Sequence, residues 1–169
     1  MAGLPGTGKS TVALKLRERL GYPLISVDQI ESAVLSAGID SDQPTGLAAY
    51  LVAETLAGSV LDTGSSVIID AVNAVNPARE QWVALAKRHG DALTFIEVTC
   101  SDPVVHRERL EARKRDLPHV IEPTWHAVEQ SLDEYDECVG PSADADRITL
   151  DSIEPLGTIV DKALVFLEG

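Results

Sequence analysis

The segment from Gly3 to Ser10 contains the residue types that a phosphate-binding loop requires. Its sequence, GLPGTGKS, matches the pattern G-x-x-x-x-G-K-[ST] in full. Glycines permit positive backbone φ angles, which turn successive N–H groups toward one anion. The lysine offers a cation to the outer phosphates, and the serine hydroxyl is a ligand for Mg²⁺. We predict that this segment binds the phosphates of a purine nucleotide, Mg-ATP, through Gly3, Gly6, Thr7, Gly8, Lys9, Ser10 and Thr11.

The residues that follow the loop form an amphipathic pattern. Apolar residues at positions 12, 13, 16 and 20 recur with helical spacing, and Gly21 marks the end of the pattern. A helix that begins at the loop directs the positive end of its dipole at bound phosphates. This context favours a phosphate-binding loop over the alternative, a glycine-rich turn without a ligand.

Two aspartates follow short apolar runs that read as buried parallel strands. Asp28 ends LISVD, and Asp70 ends VIID. Ligands of open parallel sheets lie beyond the carboxyl ends of the strands. We predict that Asp28 accepts the proton of an attacking hydroxyl, with capping of the next helix as the alternative. We predict that Asp70 holds Mg²⁺ or the acceptor, with a strand-end turn as the alternative, and Asn73 either assists it or shapes the turn.

The segment from 106 to 116, HRERLEARKRD, is the one dense basic stretch in an acidic chain. Arg109 and Arg113 are four residues apart and would share one face of a helix. Phosphoryl transfer requires cations that neutralise charge on the moving group. We predict a mobile lid over residues 102–123 that carries these two arginines. The alternative is a solvated helix whose arginines pair with Glu108 and Glu111.

Other side chains give weaker signals. Four histidines show no metal-ligand spacing and are predicted to lie at the surface: His89, His106, His119 and His126. Trp82 and Trp125 are predicted to be packing residues, and Trp125, which follows the lid segment, has contact with the acceptor as an alternative. Arg147, near the last predicted strand, is a candidate for contact with the adenine or ribose.

The composition restricts the class of protein. The chain has 169 residues, of which 44% are hydrophobic, and this is enough for one domain, 1–169, with an aliphatic core. Its net charge of −13 is spread along the sequence and disfavours long nucleic acids as partners. No stretch approaches the roughly 20 apolar residues of a membrane span. Cys100 and Cys138 form no CxxC pair, and we predict that both are reduced thiols in the core of a cytoplasmic protein.

Strand and helix patterns alternate along the chain, which predicts an α/β domain with a mainly parallel sheet. The predicted strands cover residues 24–27, 67–70, 93–99 and 147–150. The predicted helices cover residues 10–20, 28–37, 46–62, 77–89, 102–116, 124–138 and 155–167. A phosphate-binding loop normally follows a buried central strand, but only Met1 and Ala2 precede Gly3. We therefore expect the first strand to be missing or truncated in this sequence.

Together, GLPGTGKST, Asp28, VIIDAVN and RERLEARKR resemble the P-loop kinases of the small-molecule and polynucleotide-kinase-like group. That group includes chloramphenicol phosphotransferase, zeta toxin and gluconate kinase. The resemblance implies the three-layer α/β fold of P-loop NTPases, with a parallel sheet of order 2-3-1-4-5 and a helical arginine lid over ATP. It also implies that Lys9 and Ser10 bind phosphate and Mg²⁺, that Asp28 is the base, and that Arg109 and Arg113 are lid cations.

The expected activity is transfer of the γ-phosphoryl group of ATP to a hydroxyl of a small molecule. Two alternatives stay open at this point. One is a nucleotide-dependent ATPase or switch that acts on a protein partner. The other is a kinase for the 5′-hydroxyl of a nucleotide or nucleic acid.

Overall fold

Helices and parallel strands alternate along the chain, so the predicted α/β fold is confirmed. The computed structural model describes residues 1–113, 117–120, 122–133 and 139–168. The strands are β1 (Leu24–Ser26), β2 (Ile68–Asp70), β3 (Thr94–Thr99) and β4 (Asp146–Asp151). The helices are α1 (Lys9–Leu20), α2 (Val27–Ser36), α3 (Thr45–Leu61), α4 (Asn76–His89), α5 (Pro103–Glu111), α6 (Trp125–Asp133) and α7 (Leu156–Glu168), with a short 3₁₀ helix at Gly140–Ser142.

The strands pair in parallel as two ladders. In the first, β1 pairs with β2, and Ser26 stands opposite Asp70 at the carboxyl ends of both strands. In the second, β3 pairs with β4, and Thr99 stands opposite Asp151. Because parallel strands end together, each ladder brings the loops that follow its strands to one edge, where ligands of such sheets bind.

Residues 1–3 are hydrogen-bonded to both ladders but form a single bridge rather than a full strand, in agreement with the expectation of a missing or truncated first strand. Ala2 donates its N–H to the carbonyl of Ile96 at 2.8 Å and accepts from the N–H of Val98 at 2.9 Å. On the other side, the Met1 amino group donates to the carbonyl of Ile69 at 2.7 Å. Ala2 thus forms a single parallel bridge to β3. The full order 2-3-1-4-5 stays a prediction.

Successive side chains of β3 point alternately into two apolar layers, one on each face of the strand. Ile96 packs with residues of α1 and α7, including Leu16 and Ile159, whereas Phe95 packs with residues of α3 and α4, including Trp82. On α3, the buried positions Ala49, Ala53 and Ala57 recur every four residues and lie in the second layer. These small side chains allow close approach of the helix backbone to its neighbours. The sheet residues are thereby covered by helices on both faces.

In the lid segment, residues 102–123, helix α5 ends earlier than predicted. Asp102 caps α5, since its side chain accepts hydrogen bonds from the N–H groups of Val104 and Val105. The helix ends at Glu111 rather than near residue 116, so Arg113 follows the helix instead of sharing a face with Arg109. The predicted end of the next helix and Cys138 lie outside the described residues. That residues 1–169 form one domain stays a prediction.

Among the described residues, no helix combines the length and the apolar composition needed to cross a lipid bilayer.

Candidate active site

The segment from Gly3 to Ser10 forms a loop whose shape depends on its glycines. Gly3, Gly6 and Gly8 have φ angles of 135°, 85° and 92°. A Cβ on Gly3 would lie 2.3 Å from the carbonyl oxygen of Val98, so no side chain fits at this position. Thr7 is buried, and its hydroxyl donates to the carbonyl of Leu4 at 2.9 Å. The loop is therefore held by the end of β3 and by its own internal hydrogen bond.

The first turn of α1 is open to an anion. Gly8 is the N-cap and supplies no side-chain hydrogen bond to the N–H groups that begin the helix. Such N–H groups, together with the helix dipole, form an anion-binding site when no cap occupies them. Ser10 and Thr11 belong to this turn and border the same cavity as Gly8.

Lys9 and Asp70 form a buried ion pair at the base of the loop. The Nζ atom of Lys9 lies 3.5 Å from Oδ1 of Asp70, and the two side chains are 4% and 6% exposed. Within the described part of the chain, Oδ1 of Asp70 accepts no hydrogen bond. The Lys9 ammonium and the Asp70 carboxylate therefore attract each other without a hydrogen bond at Oδ1. This buried oxygen is available to another donor or to a cation.

A cavity of about 410 Å³ lies beside the loop. It brings together seven of the residues predicted from sequence: Gly6, Gly8, Lys9, Ser10, Thr11, Arg109 and Arg113. Gly3, Thr7, Asp28 and Asp70 are not part of its lining. The cavity is also lined by residues that follow β4 or begin α7: Ser152, Glu154, Leu156 and Ile159.

Arg109 reaches from α5 to the loop that follows β4. Its Nη1 donates to the hydroxyl of Ser152 at 2.7 Å, and its Nη2 donates to the Ser152 carbonyl at 3.1 Å. A Cβ on Gly8 would lie 3.7 Å from Cβ of Ser152, so this contact is close to the phosphate loop. Ser152 carried no signal in the sequence, because a lone serine after a strand is common.

Arg113 connects the lid segment to the candidate base. Its Nη2 lies 3.8 Å from Oδ2 of Asp28, and its Nη1 lies 3.6 Å from Oε2 of Glu122. Asp28 stands in the first turn of α2, whose N-cap is Ser26. The alternative that Asp28 caps this helix is therefore wrong, and its carboxylate instead faces an arginine of the lid segment.

Tyr50 lies near both predicted aspartates, and no residue pattern predicted this neighbour. Burial raises the pKa of the Tyr50 phenol, and the negative charges of Asp28, Asp70 and Glu31 raise it further, whereas a hydrogen bond from the backbone N–H of Asn73 opposes the rise. Glu31 also accepts a hydrogen bond from the Thr45 hydroxyl at 2.9 Å. These side chains form a polar region between α2 and α3, on the side of the phosphate loop where Asp28 lies.

Asn73 shapes the turn after β2. Its φ angle is 54°, its side chain donates to the carbonyl of Met1 at 2.9 Å, and it accepts from the Trp82 indole N–H at 2.9 Å. Arg79, which is fully buried, donates to the carbonyls of Asn73 and Ala74. The prediction that Trp82 is a packing residue is confirmed, since it is 3% exposed and contacts the ring of Tyr50.

Two predictions about single residues are wrong. His106 is not at the surface but 2% exposed, and its Nε2 lies 2.8 Å from the carbonyl oxygen of Pro5 in the loop. Arg147 does not reach the nucleotide cavity, because it stands near the start of β4, where its guanidinium packs over the ring of Phe95 and lies 3.9 Å from Glu97. The amino end of a parallel strand is remote from the edge where ligands bind.

The remaining weak predictions have mixed outcomes. His119 and His126 are exposed as predicted, whereas His89 is half-buried and lies 3.1 Å from Asp62. Trp125 is half-buried and packs against the cluster of Leu4, Leu110 and Val128. Cys100 is a free thiol at the end of β3 and is partly exposed rather than buried in the core.

Residues 1–138 match the model of a protein family described as an AAA domain, AAA_33. The chain belongs to this AAA domain family. Mouse (Mus musculus) 6-phosphofructo-2-kinase/fructose-2,6-bisphosphatase 1 is 26% identical over 137 residues, which cover 72% of this chain and 29% of that protein. The chain thus spans under a third of the length of this relative.

Solved structures have the same fold as this AAA-family chain. A candidate kinase from Chloroflexus aurantiacus J-10-fl superposes with a TM-score of 0.78 at 21% identity, over 98% of this chain and 95% of that chain. A gluconokinase from Sinorhizobium meliloti 1021 superposes with a TM-score of 0.63 at 21% identity, over 99% of this chain and 89% of that chain. The predicted P-loop kinase fold is therefore confirmed.

Proposed function

We propose that this protein is an ATP-dependent phosphotransferase that moves the γ-phosphoryl group of Mg-ATP to a hydroxyl of a small molecule. The observation that carries the proposal is the convergence of Lys9, Arg109 and Arg113 on one cavity beside an open helix N-terminus. Three cations and free N–H groups suit a triphosphate, whose negative charge must be neutralised during transfer.

The residues present fit a magnesium ion. The buried Oδ1 of Asp70 lacks a hydrogen-bond donor in the described residues, and the hydroxyl of Ser10 borders the cavity. Mg²⁺ in kinases is held by one or two protein oxygens with water and phosphate oxygens, so a larger cluster of protein ligands is not required. Asp70 and Ser10 would hold this ion, which when bound neutralises charge on the phosphates. Lys9 would then bind phosphate while still facing Asp70.

Asp28 is the proposed base for the acceptor hydroxyl. Its carboxylate lies 3.8 Å from Arg113, which also lines the nucleotide cavity, so the candidate base and the nucleotide share one neighbour. A carboxylate in this position can accept the hydroxyl proton as the oxygen attacks the γ-phosphorus, while the lid arginines neutralise the charge on the transferring group.

The acceptor is proposed to bind in the polar region formed by Asp28, Glu31, Thr45 and Tyr50, between α2 and α3. The names of the similar kinases, gluconokinase and 6-phosphofructo-2-kinase, refer to small carbohydrate substrates and support a small-molecule acceptor. We place the activity in the cytoplasm, where the free thiol of Cys100 would stay reduced.

The Asp28→Asn variant tests the assignment. A pool of hydroxyl-bearing metabolites is incubated with ATP and screened for a mass gain of one phosphoryl group. With the acceptor so identified, loss of a general base should lower the transfer rate by roughly 10²–10⁴-fold, while ATP affinity changes little. Asp40→Asn, at an exposed position before α3, is the matched control. Transfer by Asp28→Asn at the parent rate would show that the base is another group.

A further inference from the structure

His106 is a buried polar residue that the proposed chemistry does not use. It lies in the first half of α5, yet its Nε2 is 2.8 Å from the carbonyl oxygen of Pro5, 101 residues away in the sequence. A carbonyl oxygen can only accept, so Nε2 carries the proton of this hydrogen bond. The bond ties the lid helix to the middle of the phosphate loop.

Packing around His106 is close on both sides. A Cβ on Gly6 would lie 3.1 Å from Cδ2 of His106 and 3.1 Å from Cβ of Leu110. The ring of Trp125 meets the imidazole edge-on, with ring centroids 5.2 Å apart. Leu4 and Leu110 join the same apolar cluster. One face of α5 therefore covers the loop from Leu4 to Gly6, and His106 provides a directional contact within that face.

Arg109 extends from the same helix only three residues after His106. Its guanidinium lines the cavity and donates two hydrogen bonds to Ser152. Because residues of one short helix move together, a change in the loop at Pro5 shifts the helix that positions Arg109. We propose that His106 is a positioning residue that couples the conformation of the phosphate loop to the placement of Arg109 over the nucleotide. This inference rests on the proposed function only in that the loop binds nucleotide phosphate.

The contact itself is tested without a ligand. His106→Phe keeps an aromatic ring against Trp125 but removes the donor to Pro5, and His106→Gln keeps a donor of similar reach. Loss of this hydrogen bond should speed hydrogen exchange of the hydrogen-bonded amides of Thr7, Thr11 and Val12 roughly tenfold in His106→Phe, with recovery in His106→Gln. Equal exchange in the wild type and His106→Phe would overturn the inference. If His106→Phe does not fold, His106→Asn, whose amide is too short to reach Pro5, replaces it.

Coupling is tested by a double-mutant cycle with Mg-ADP as the probe. Arg109→Ala should weaken Mg-ADP binding about tenfold in the wild-type background but less than about threefold in His106→Phe, because Arg109 is no longer held over the nucleotide. His106→Gln should restore most of the difference. Equal losses in both backgrounds would overturn the coupling. A wild-type protein that binds no Mg-ADP would refute the proposed function, and the exchange experiment would still decide whether His106 anchors the loop.

Discussion

Replacing Lys9 by methionine should destabilise the protein more than most single substitutions. Methionine keeps the length and apolar stem of lysine but leaves the Asp70 carboxylate buried, at 6% exposure, without its cation. Burial, with a smaller contribution from the charge of Lys9, lowers the pKa of the nearby Met1 amino group to about 6, so this group is mostly neutral at pH 7.5 while Lys9 is present. Removing one partner of a buried ion pair costs roughly 3–5 kcal/mol.

For a chain of this size, each kcal/mol lowers the melting temperature by about 2–4 °C, so the expected fall is roughly 6–20 °C. Thermal unfolding at pH 7.5, followed by the emission of the buried Trp82, measures it. The second variant, Lys9→Met with Asp70→Leu, replaces the pair by apolar groups and should recover most of the loss. Lys15→Met, which removes an exposed pair with Glu18, should cost less than about 1 kcal/mol.

Nucleotide binding separates the stabilising role of Lys9 from its proposed phosphate-binding role. Mg-ADP should raise the melting temperature of the wild type and of Lys15→Met. It should leave Lys9→Met and the double variant unchanged, although the double variant is stable. If Lys9→Met unfolds at the wild-type temperature, the Lys9–Asp70 pair does not stabilise the fold. If the double variant is no more stable than Lys9→Met, the loss does not come from the buried charge of Asp70.

Three further predictions test other parts of the structure. Gly3→Ala should lower the free energy of unfolding in urea by at least about 2 kcal/mol, because its Cβ would lie 2.3 Å from the Val98 carbonyl oxygen. Gly157→Ala is the control. It has open space around its Cβ and should be neutral or slightly stabilising. The lowered pKa of the Met1 amino group means that the unfolded chain binds more protons between pH 6 and 8. Unfolding free energy should therefore rise by about 2 kcal/mol over that range, and an N-acetylated chain should lack this rise. Arg147→Ala should lower stability by roughly 1 kcal/mol through loss of its contacts with Phe95 and Glu97. Its affinity for Mg-ADP should equal that of the wild type, and a weakened affinity would restore Arg147 to the nucleotide site.

The sequence predicted those parts of the protein whose chemistry is local. The phosphate loop depends on glycines, a lysine and a serine within eight positions, so its pattern is visible before any fold is known. The end of β2 could be located from the apolar run that stops at Asp70, whereas β1 ends at Ser26 and Asp28 belongs to the first turn of α2. The direction of a parallel strand would also have excluded Arg147, because a residue at the start of β4 lies at the amino end of the sheet.

Long-range contacts could not be predicted in this way. Burial of His106 follows from the docking of α5 on the loop, and nothing in the residues near position 106 indicates this. The position of Ala2 between the two ladders depends on hydrogen bonds with Ile96 and Val98, far along the chain. The pairing of Arg113 with Asp28 likewise joins residues far apart in the sequence, which helical periodicity cannot predict.

The central claim is that the γ-phosphoryl group of ATP leaves this site on an acceptor oxygen. The direct measurement follows γ-labelled ATP in the presence of a pool of hydroxyl-bearing metabolites, with wild-type protein and the stable Lys9→Met, Asp70→Leu variant side by side. We predict label in an organic phosphate ester with the wild type and none with the variant. Label that appears only as inorganic phosphate, at a rate that responds to added protein rather than to metabolites, would refute the phosphotransferase proposal and indicate a nucleotide-dependent switch.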